Sequence, residues 1–351
     1  MNCGRIVQRL VVWFGRNARD LPWRRTRDPY AIWVSEVMLQ QTQVKTVLPY
    51  WGRWMRELPG IAAVAKAKPE KLHKLWEGLG YYTRVRNLQR AARMLVDHHG
   101  GAFPEKFAAV LALPGIGRYT AGAICSIAFN QPKPILDGNV IRVLTRLFGI
   151  AGNPRQKQTN ARLWRLAEQL VIESGKARKF NQALMELGAL ICTPRQPQCG
   201  ICPVAKHCVA YQEDRVGELP SVGRRRAAVA RRFAAFVAQE GGRYLVRERP
   251  PGVVNAHLWE FPNLELTRGN GGLRKAARRL LGIQAGSLDP FCTIKHSITR
   301  YRITLDAFRV AGTQISRIRP GVGQWVAQGR LRQLAFASAH KKILQRLPVS
   351  R

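Results

Sequence analysis

Up to about residue 210 the apolar positions recur at helical spacing, over Ile32–Val47, Leu72–Leu79, Leu88–Val96, Thr120–Phe129, Val140–Phe148 and Ala161–Ile172. Short breaks rich in proline and glycine separate these runs: Leu58-Pro59-Gly60, Gly100-Gly101, Leu113-Pro114-Gly115 and Gly152-Asn153-Pro154. The pattern predicts an all-helical domain over residues 1–210. Residues 211–229 are polar and arginine-rich, with Gly217, Pro220 and Gly223, and read as a basic linker. Beyond them the period shortens. Arg232–Gln239, Arg243–Arg247 and Thr293–Val310 read as strands around Gly-Gly and Pro-Pro-Gly turns, with helices over Leu273–Leu281 and Ala339–Leu347. A smaller α+β domain over residues 230–351 is the expectation. No repeat or low-complexity tract stands out.

Charge says what the partner is. With 58 Lys plus Arg against 21 Asp plus Glu, the chain carries a formal charge of +37. A field of that size favours a polyanion, nucleic acid first. The arginines also cluster, as in Arg224-Arg225-Arg226 and Arg231-Arg232. No apolar run approaches the roughly 20 residues of a spanning helix, and the N-terminus, with only Val11–Phe14 apolar in a row, does not read as a signal peptide. A reduced cytoplasmic, nucleoid-associated location is expected, without a membrane.

Four of the seven cysteines, Cys192, Cys199, Cys202 and Cys208, are spaced C-x6-C-x2-C-x5-C. One [4Fe–4S] cluster needs four thiolates, one per iron. Zinc also accepts four, but its ribbons usually bring two CxxC knuckles, and here only Cys199 and Cys202 form one. A disulfide framework fits less well, because the odd count leaves one cysteine over. Cys3, Cys125 and Cys292 read as packing or surface thiols.

Leu113-Pro114-Gly115-Ile116-Gly117 opens a helix near Tyr119. Gly115 and Gly117 allow a tight turn whose N–H groups can approach a phosphate. Twenty residues on comes Ile135-Leu136-Asp137-Gly138-Asn139-Val140, where Asp137 is either a helix N-cap or a catalytic acid. Glu36 lies among Val34, Val37, Met38 and Leu39. Apolar surroundings would raise its pKa toward that of a general acid at neutral pH, and the alternative is a surface glutamate.

The hairpin, the aspartate after it and the closing cysteine loop together resemble the iron–sulfur branch of the helix–hairpin–helix DNA glycosylase superfamily, with the hairpin over about 108–130 and the cluster loop over 192–208. Leu21-Pro22-Trp23-Arg24, the run from Tyr30 to Thr42, and Gly78-Leu79-Gly80-Tyr81-Tyr82 resemble the MutY family of adenine DNA glycosylases within it. The resemblance covers essentially the whole chain. It implies a monomeric enzyme with a [4Fe–4S] cluster, acting on duplex DNA that carries adenine opposite 8-oxoguanine or guanine. Glu36 would protonate the base at N7, Asp137 would stabilise or capture the sugar cation, and Asn139 would position Asp137. Tyr119 stands where strand-cleaving relatives carry a Schiff-base lysine, which implies base release without strand scission. Arg19, Trp23, Arg24 and Gln182 would border the adenine, and Gln41, Thr42 and Tyr81 would contact the partner base.

The second domain resembles the MutT-like, Nudix-fold domain of the same family, through Leu258-Trp259-Glu260-Phe261-Pro262. Where a Nudix hydrolase needs metal-binding carboxylates, this chain has Arg274-Lys275-Ala276-Ala277-Arg278-Arg279, which cannot hold Mg²⁺. Ile298-Thr299-Arg300 is the counterpart of the family's Phe-Ser-His lesion-reading signature, with the Thr299 hydroxyl as candidate contact. Two alternatives remain. One is a thymine-mismatch or oxidised-pyrimidine glycosylase, against which the long second domain argues. The other is a non-catalytic iron–sulfur DNA-binding protein, against which the retention of Glu36 and Asp137 argues.

Overall fold

The computed structural model describes residues 3–223, 227–267, 272–282, 287–311 and 320–348; the Arg224-Arg225-Arg226 cluster lies outside them. The chain divides into two compact units, residues 1–66 with 86–224 and residues 67–85 with 225–351.

The first unit is helical, with α1 (Cys3–Asn17), α2 (Pro29–Leu39), α3 (Val44–Glu57) and α4 (Ile61–Lys66) before the excursion of α5 (Pro69–Trp76) into the second unit. It continues through α6 (Thr83–His99), α7 (Phe107–Leu111), α8 (Arg118–Phe129), α9 (Gly138–Leu147), α10 (Lys157–Glu173), α11 (Ala177–Leu190) and α12 (Val209–Gln212). The apolar faces of α1, α2, α8, α9, α10 and α11 meet in one core that joins Ile6, Leu10, Ile32, Ile135, Leu144, Leu163, Phe180 and Leu187.

One expected helix, Ile32–Val47, is two. Helix α2 is itself mostly apolar and is buried from Tyr30 to Met38. The polar run Gln40–Gln43 cannot follow it into the core, and Gln41 turns the chain with φ 55°. The N-terminal segment, which shows only a short apolar stretch in sequence, is an amphipathic helix that buries Ile6, Val7 and Leu10.

The second unit is built on a seven-stranded sheet, among the described residues, of β1 (Val229–Glu240), β2 (Arg243–Glu248), β3 (Trp259–Glu260), β4 (Asn263–Glu265), β5 (Ser287–Ile298), β6 (Tyr301–Ala311) and β7 (Gln324–Ala327). The order is β3-β2-β1-β6-β5, with β4 on β1 and β7 on β2. Strands β1 and β6 run parallel from Val229↔Tyr301 to Ala238↔Val310. Alternation along β1 feeds two cores, Ala235 and Val237 on one face and Ala234, Phe236 and Ala238 on the other. Helix α13 (Leu273–Leu281) packs on the second face through Ala277 and Leu281; α14 (Gln328–Leu331) and α15 (Ser338–Leu344) contribute Leu331 and Ile343 to the first. The expected Thr293–Val310 strand region is the β5–β6 hairpin.

The sequence reads as one helical domain over 1–210, but residues 67–85 pack as part of the sheet unit. Sequence periodicity reports a helix and not the surface it docks on. Among the described residues no helix is long and apolar enough to cross a membrane.

Candidate active site

Glu36, in the buried helix α2, is 6% exposed and lines a cavity of about 890 Å³ in the first unit. Burial pushes its pKa up to about 7, and the charge of Asp137 adds to the rise. Two groups oppose it: the Tyr119 hydroxyl, which donates to Glu36 Oε2 at 2.8 Å, and Arg24. Tyr119 sits in the first turn of α8 beside Met185 Sδ at 3.3 Å, and burial with the nearby carboxylates raises its own pKa well above the phenolic range. The proton therefore stays on the phenol, which serves Glu36 as a donor.

Asp137 lies on the same cavity and is both things the sequence allows. It is the N-cap of α9, accepting the Val140 N–H at 2.7 Å, and its carboxylate faces the cavity. Burial raises its pKa, countered by the N–H groups of Val140 and Asn139 and by Arg142. Asn139 Nδ2 lies 3.4 Å from Asp137 Oδ2, while Asn139 Oδ1 accepts Arg142 Nη2 at 2.8 Å. Arg142 also donates to the Gly188 and Cys192 carbonyls, both at 2.7 Å.

The opposite chemistry lines another wall. Glu186 of α11, with no exposed surface, accepts Arg19 Nη2 at 2.6 Å and Nε at 2.9 Å, the Arg19 N–H at 2.8 Å, and Arg24 Nη2 at 2.8 Å and Nη1 at 3.0 Å. Burial alone would raise its pKa; these donors overcome that and hold it down at about 2. Arg24 stacks over Phe14 at 5.2 Å, and Trp23 packs its edge on Trp51. Gln182 lines the cavity and donates to the Arg178 carbonyl at 3.1 Å.

Gln41 and Thr42 lie at the cavity lip, in the break between α2 and α3. Gly115 has φ 77°, and a Cβ there would meet Asn87 Cβ at 2.7 Å, so glycine is required twice over. Gly117 caps α8 with ordinary φ, and a Cβ there would meet nothing within 4 Å. Tyr81 and Thr299 belong to the second unit. Tyr81 is 48% exposed on a turn with φ 47°. Thr299 is in the two-residue turn of the β5–β6 hairpin, φ 52°, its hydroxyl donating to the Ile298 carbonyl at 2.7 Å. It is therefore a turn residue, outside strand alternation. On α13, Arg274, Lys275, Arg278 and Arg279 are exposed and no carboxylate occurs.

Cys192, Cys199, Cys202 and Cys208 are half-buried and free of disulfides. Burial, opposed by the Val204 N–H and helped by the charges of Cys192, Cys208 and Cys199, pushes the Cys202 thiol up to about 12. Among the described residues no three His, Cys, Asp or Glu groups are arranged to hold a single ion. Four free thiols within the one loop 192–208, with a single CxxC pair, suit a cluster that takes one sulfur ligand per iron better than a zinc ribbon of two CxxC knuckles. Arg146 Nη1 lies 3.4 Å from Cys192 Sγ and donates to the Thr193 carbonyl at 2.7 Å, so a cationic N–H donor faces one of the four sulfurs.

Over 395 aligned residues the chain is 36% identical to an adenine DNA glycosylase of Mus musculus, covering 96% of this chain and 76% of that one. The chain belongs to the adenine DNA glycosylase family. A Homo sapiens adenine DNA glycosylase is 35% identical over 96% of this chain and 72% of its own length. Within this adenine DNA glycosylase family member, residues 34–169 match the HhH-GPD superfamily base excision DNA repair protein, 192–208 the iron–sulfur binding domain of endonuclease III, and 233–346 the NUDIX domain. The cofactor is thus the [4Fe–4S] cluster. Among solved structures, a thermostable thymine-DNA glycosylase superposes with a TM-score of 0.55 at 33% identity, over 60% of this chain and 98% of that one.

The structure brings Arg19, Trp23, Arg24, Glu36, Gln41, Thr42, Tyr119, Asp137, Asn139 and Gln182 onto one cavity. Sequence reasoning missed Glu186, Met185 and Arg142. Glu186 lies in the run Phe180–Gly188, and a lone acid among apolar helix residues, in a chain with two arginines close to Trp23, is the signal that points to it.

Proposed function

We propose that the chain hydrolyses the N-glycosidic bond of adenine mispaired with 8-oxoguanine or guanine in duplex DNA, opening base excision repair. The observation that carries this reading is the buried Glu36, its pKa raised to about 7, sharing one cavity with Asp137 and Tyr119. The flipped adenine enters that cavity, bordered by Arg19, Trp23, Arg24 and Gln182. Glu36 gives its proton to N7, so the base leaves as neutral adenine while the C1′–N9 bond breaks. Asp137 stabilises the oxocarbenium-like sugar, or captures it covalently, and Asn139 holds Asp137 in place. Water supplies the oxygen at C1′ and returns a proton to Glu36, leaving an abasic site. This two-carboxylate scheme parallels glycoside hydrolysis.

Tyr119 has no amine for a Schiff base, so no strand break follows. Gly115 and Gly117 admit a phosphate at the start of α8. Gln41, Thr42, Tyr81 and Thr299 read the partner base, and α13 of the Nudix-like unit, cationic where a hydrolase binds metal, has no hydrolytic role. Cys192, Cys199, Cys202 and Cys208 would hold the cluster, which would tie the 192–208 loop together.

A second reading, excision of mispaired thymine, draws on the thymine-DNA glycosylase likeness. That likeness spans 60% of the chain against 96% for the adenine relative. The test is single-turnover release from duplexes with adenine opposite 8-oxoguanine, adenine opposite guanine and thymine opposite guanine, developed with and without alkali. Adenine release that yields strand breaks only after alkali is expected. Release of thymine alone sinks the reading.

A further inference from the structure

The segment that carries Tyr81 belongs to the same compact unit as the Nudix-like sheet, and a buried carboxylate fastens it there. Glu77, 5% exposed, accepts the Phe336 N–H at 2.9 Å through Oε1, and Lys341 Nζ at 2.8 Å and Lys74 Nζ at 3.0 Å through Oε2. Lys74 also donates to the Leu334 carbonyl at 3.0 Å. On the neighbouring turn of α5, the His73 ring stacks on His257 at 6.4 Å and 18°. Charge-assisted bonds to a buried carboxylate are stronger than neutral ones and are expensive to leave half-made.

The four residues after Glu77 form a turn of unusual backbone, with Gly78 at φ 113°, Gly80 at φ 72° and Tyr81 at φ 47°. A non-glycine residue holds such a φ only where its surroundings impose it. Here they do. Arg84 donates to the Leu79 carbonyl at 2.9 Å and the Gly80 carbonyl at 3.1 Å, and its guanidinium lies 5.7 Å from the Tyr81 ring centre. Trp76 Nε1 donates to the Gly80 carbonyl at 3.1 Å. The turn is stiff, so whatever fixes its Glu77 end also fixes where the Tyr81 ring points.

We propose that Glu77 is a positioning residue for partner-base discrimination: it makes the Tyr81 turn one rigid piece with the Nudix-like fold, so that two contacts to the base opposite adenine are presented in fixed relation. The inference rests on the reading of Tyr81 and this unit as partner-base readers. Contacts pre-set relative to each other add without a fresh ordering cost, and unfastened ones do not.

The test uses the full chain with its cluster. Single-turnover adenine release is compared opposite 8-oxoguanine and opposite guanine for wild type, Glu77→Ala, Glu77→Gln, Lys341→Met, Tyr81→Ala and the Glu77→Ala/Tyr81→Ala pair. Glu77→Ala should lower the 8-oxoguanine-to-guanine rate ratio roughly five- to tenfold, about the worth of one ordinary hydrogen bond, because it acts on the base only through the turn. Glu77→Gln, which keeps an acceptor for Phe336, should recover part of it. The double variant should be no worse than Tyr81→Ala, because the two act through one turn. Lys341→Met loosens the same clamp from outside the 67–85 segment and decides the matter if Glu77→Ala fails to retain iron or helix content. A ratio within about twofold of wild type in both Glu77→Ala and Lys341→Met, while Tyr81→Ala lowers it, overturns this inference alone. A wild-type enzyme with no preference between the mismatches overturns it together with the lesion reading.

Discussion

Glu36 and Glu186 are both buried glutamates on the wall of one cavity, yet one titrates near 7 and the other near 2. Burial pushes both upward. What separates them is the count of full positive charges in hydrogen-bond contact: none for Glu36, which receives a neutral phenol, and two guanidiniums for Glu186. The same residue type thus becomes a proton donor on one side and a permanent anion on the other. The donor side can do chemistry at neutral pH; the anion side holds two arginines still.

The strongest way to break this contrast is to remove the proton. Glu36→Gln should retain DNA binding and lose base release by ~10²–10⁴-fold, the usual worth of general acid catalysis. Asp137→Asn should lose a comparable amount through the sugar cation. Single-turnover rates near wild type in either variant would remove the two-carboxylate mechanism.

Unbalancing the other wall comes next. Glu186→Gln leaves Arg19 and Arg24 without their anion, and losing one partner of a buried ion pair typically costs about 3–5 kcal/mol of stability. Thermal unfolding at pH 7 measures this. The pH dependence has a definite sign. Glu186 has its pKa lowered, from the ordinary 4.5 to about 2, so its contribution is complete above 4.5 and is lost as pH falls toward 2. Glu36 has its pKa raised, so it disfavours the fold progressively as pH rises from 4.5 through about 7. The variant should also alter catalysis. Around Glu36 stand Tyr119 from α8, Asp137 at the head of α9, Arg24, and beyond Arg24 its neutralising Glu186 and Arg19. Freed of Glu186, the guanidiniums favour ionised Glu36, and the alkaline fall in rate should begin at lower pH. An unmoved profile would mean that Arg24 does not reach Glu36 electrostatically.

Tyr119→Phe should move that limb the other way. The hydroxyl bonds the carboxylate and lowers its pKa, so its removal should extend activity to higher pH at modest cost in maximal rate. A limb that moves downward instead would show that the phenol favours the acid form. The smallest effect belongs to the second unit. Thr299→Val removes one hydroxyl worth ~0.5–1.5 kcal/mol, and the 8-oxoguanine-to-guanine rate ratio should change only several-fold. A collapse of the ratio would give that turn more of the discrimination than Tyr81.

The contrast also marks what a sequence discloses. The four cysteines are legible from their spacing, and Glu36, Tyr119 and Asp137 because each lies in a local run that resembles the family's. Glu186 is not, because its meaning comes from Arg19, 167 positions away. The same holds for Glu77, whose partners Phe336 and Lys341 are 259 and 264 positions distant and carry residues 67–85 out of the helical unit. The break after α2 was nearer to hand: four polar residues, Gln40–Gln43, interrupt an apolar run that periodicity alone extends to Val47.

Asp137 anchors a helix with the same carboxylate that faces the cavity. Asparagine is as good a helix N-cap as aspartate, whereas alanine is much poorer. Surveillance of misfolded chains would therefore catch Asp137→Ala and pass Asp137→Asn. Of the two lesions in the gene, the milder-looking one leaves a durable chain that keeps its fold and has lost the carboxylate.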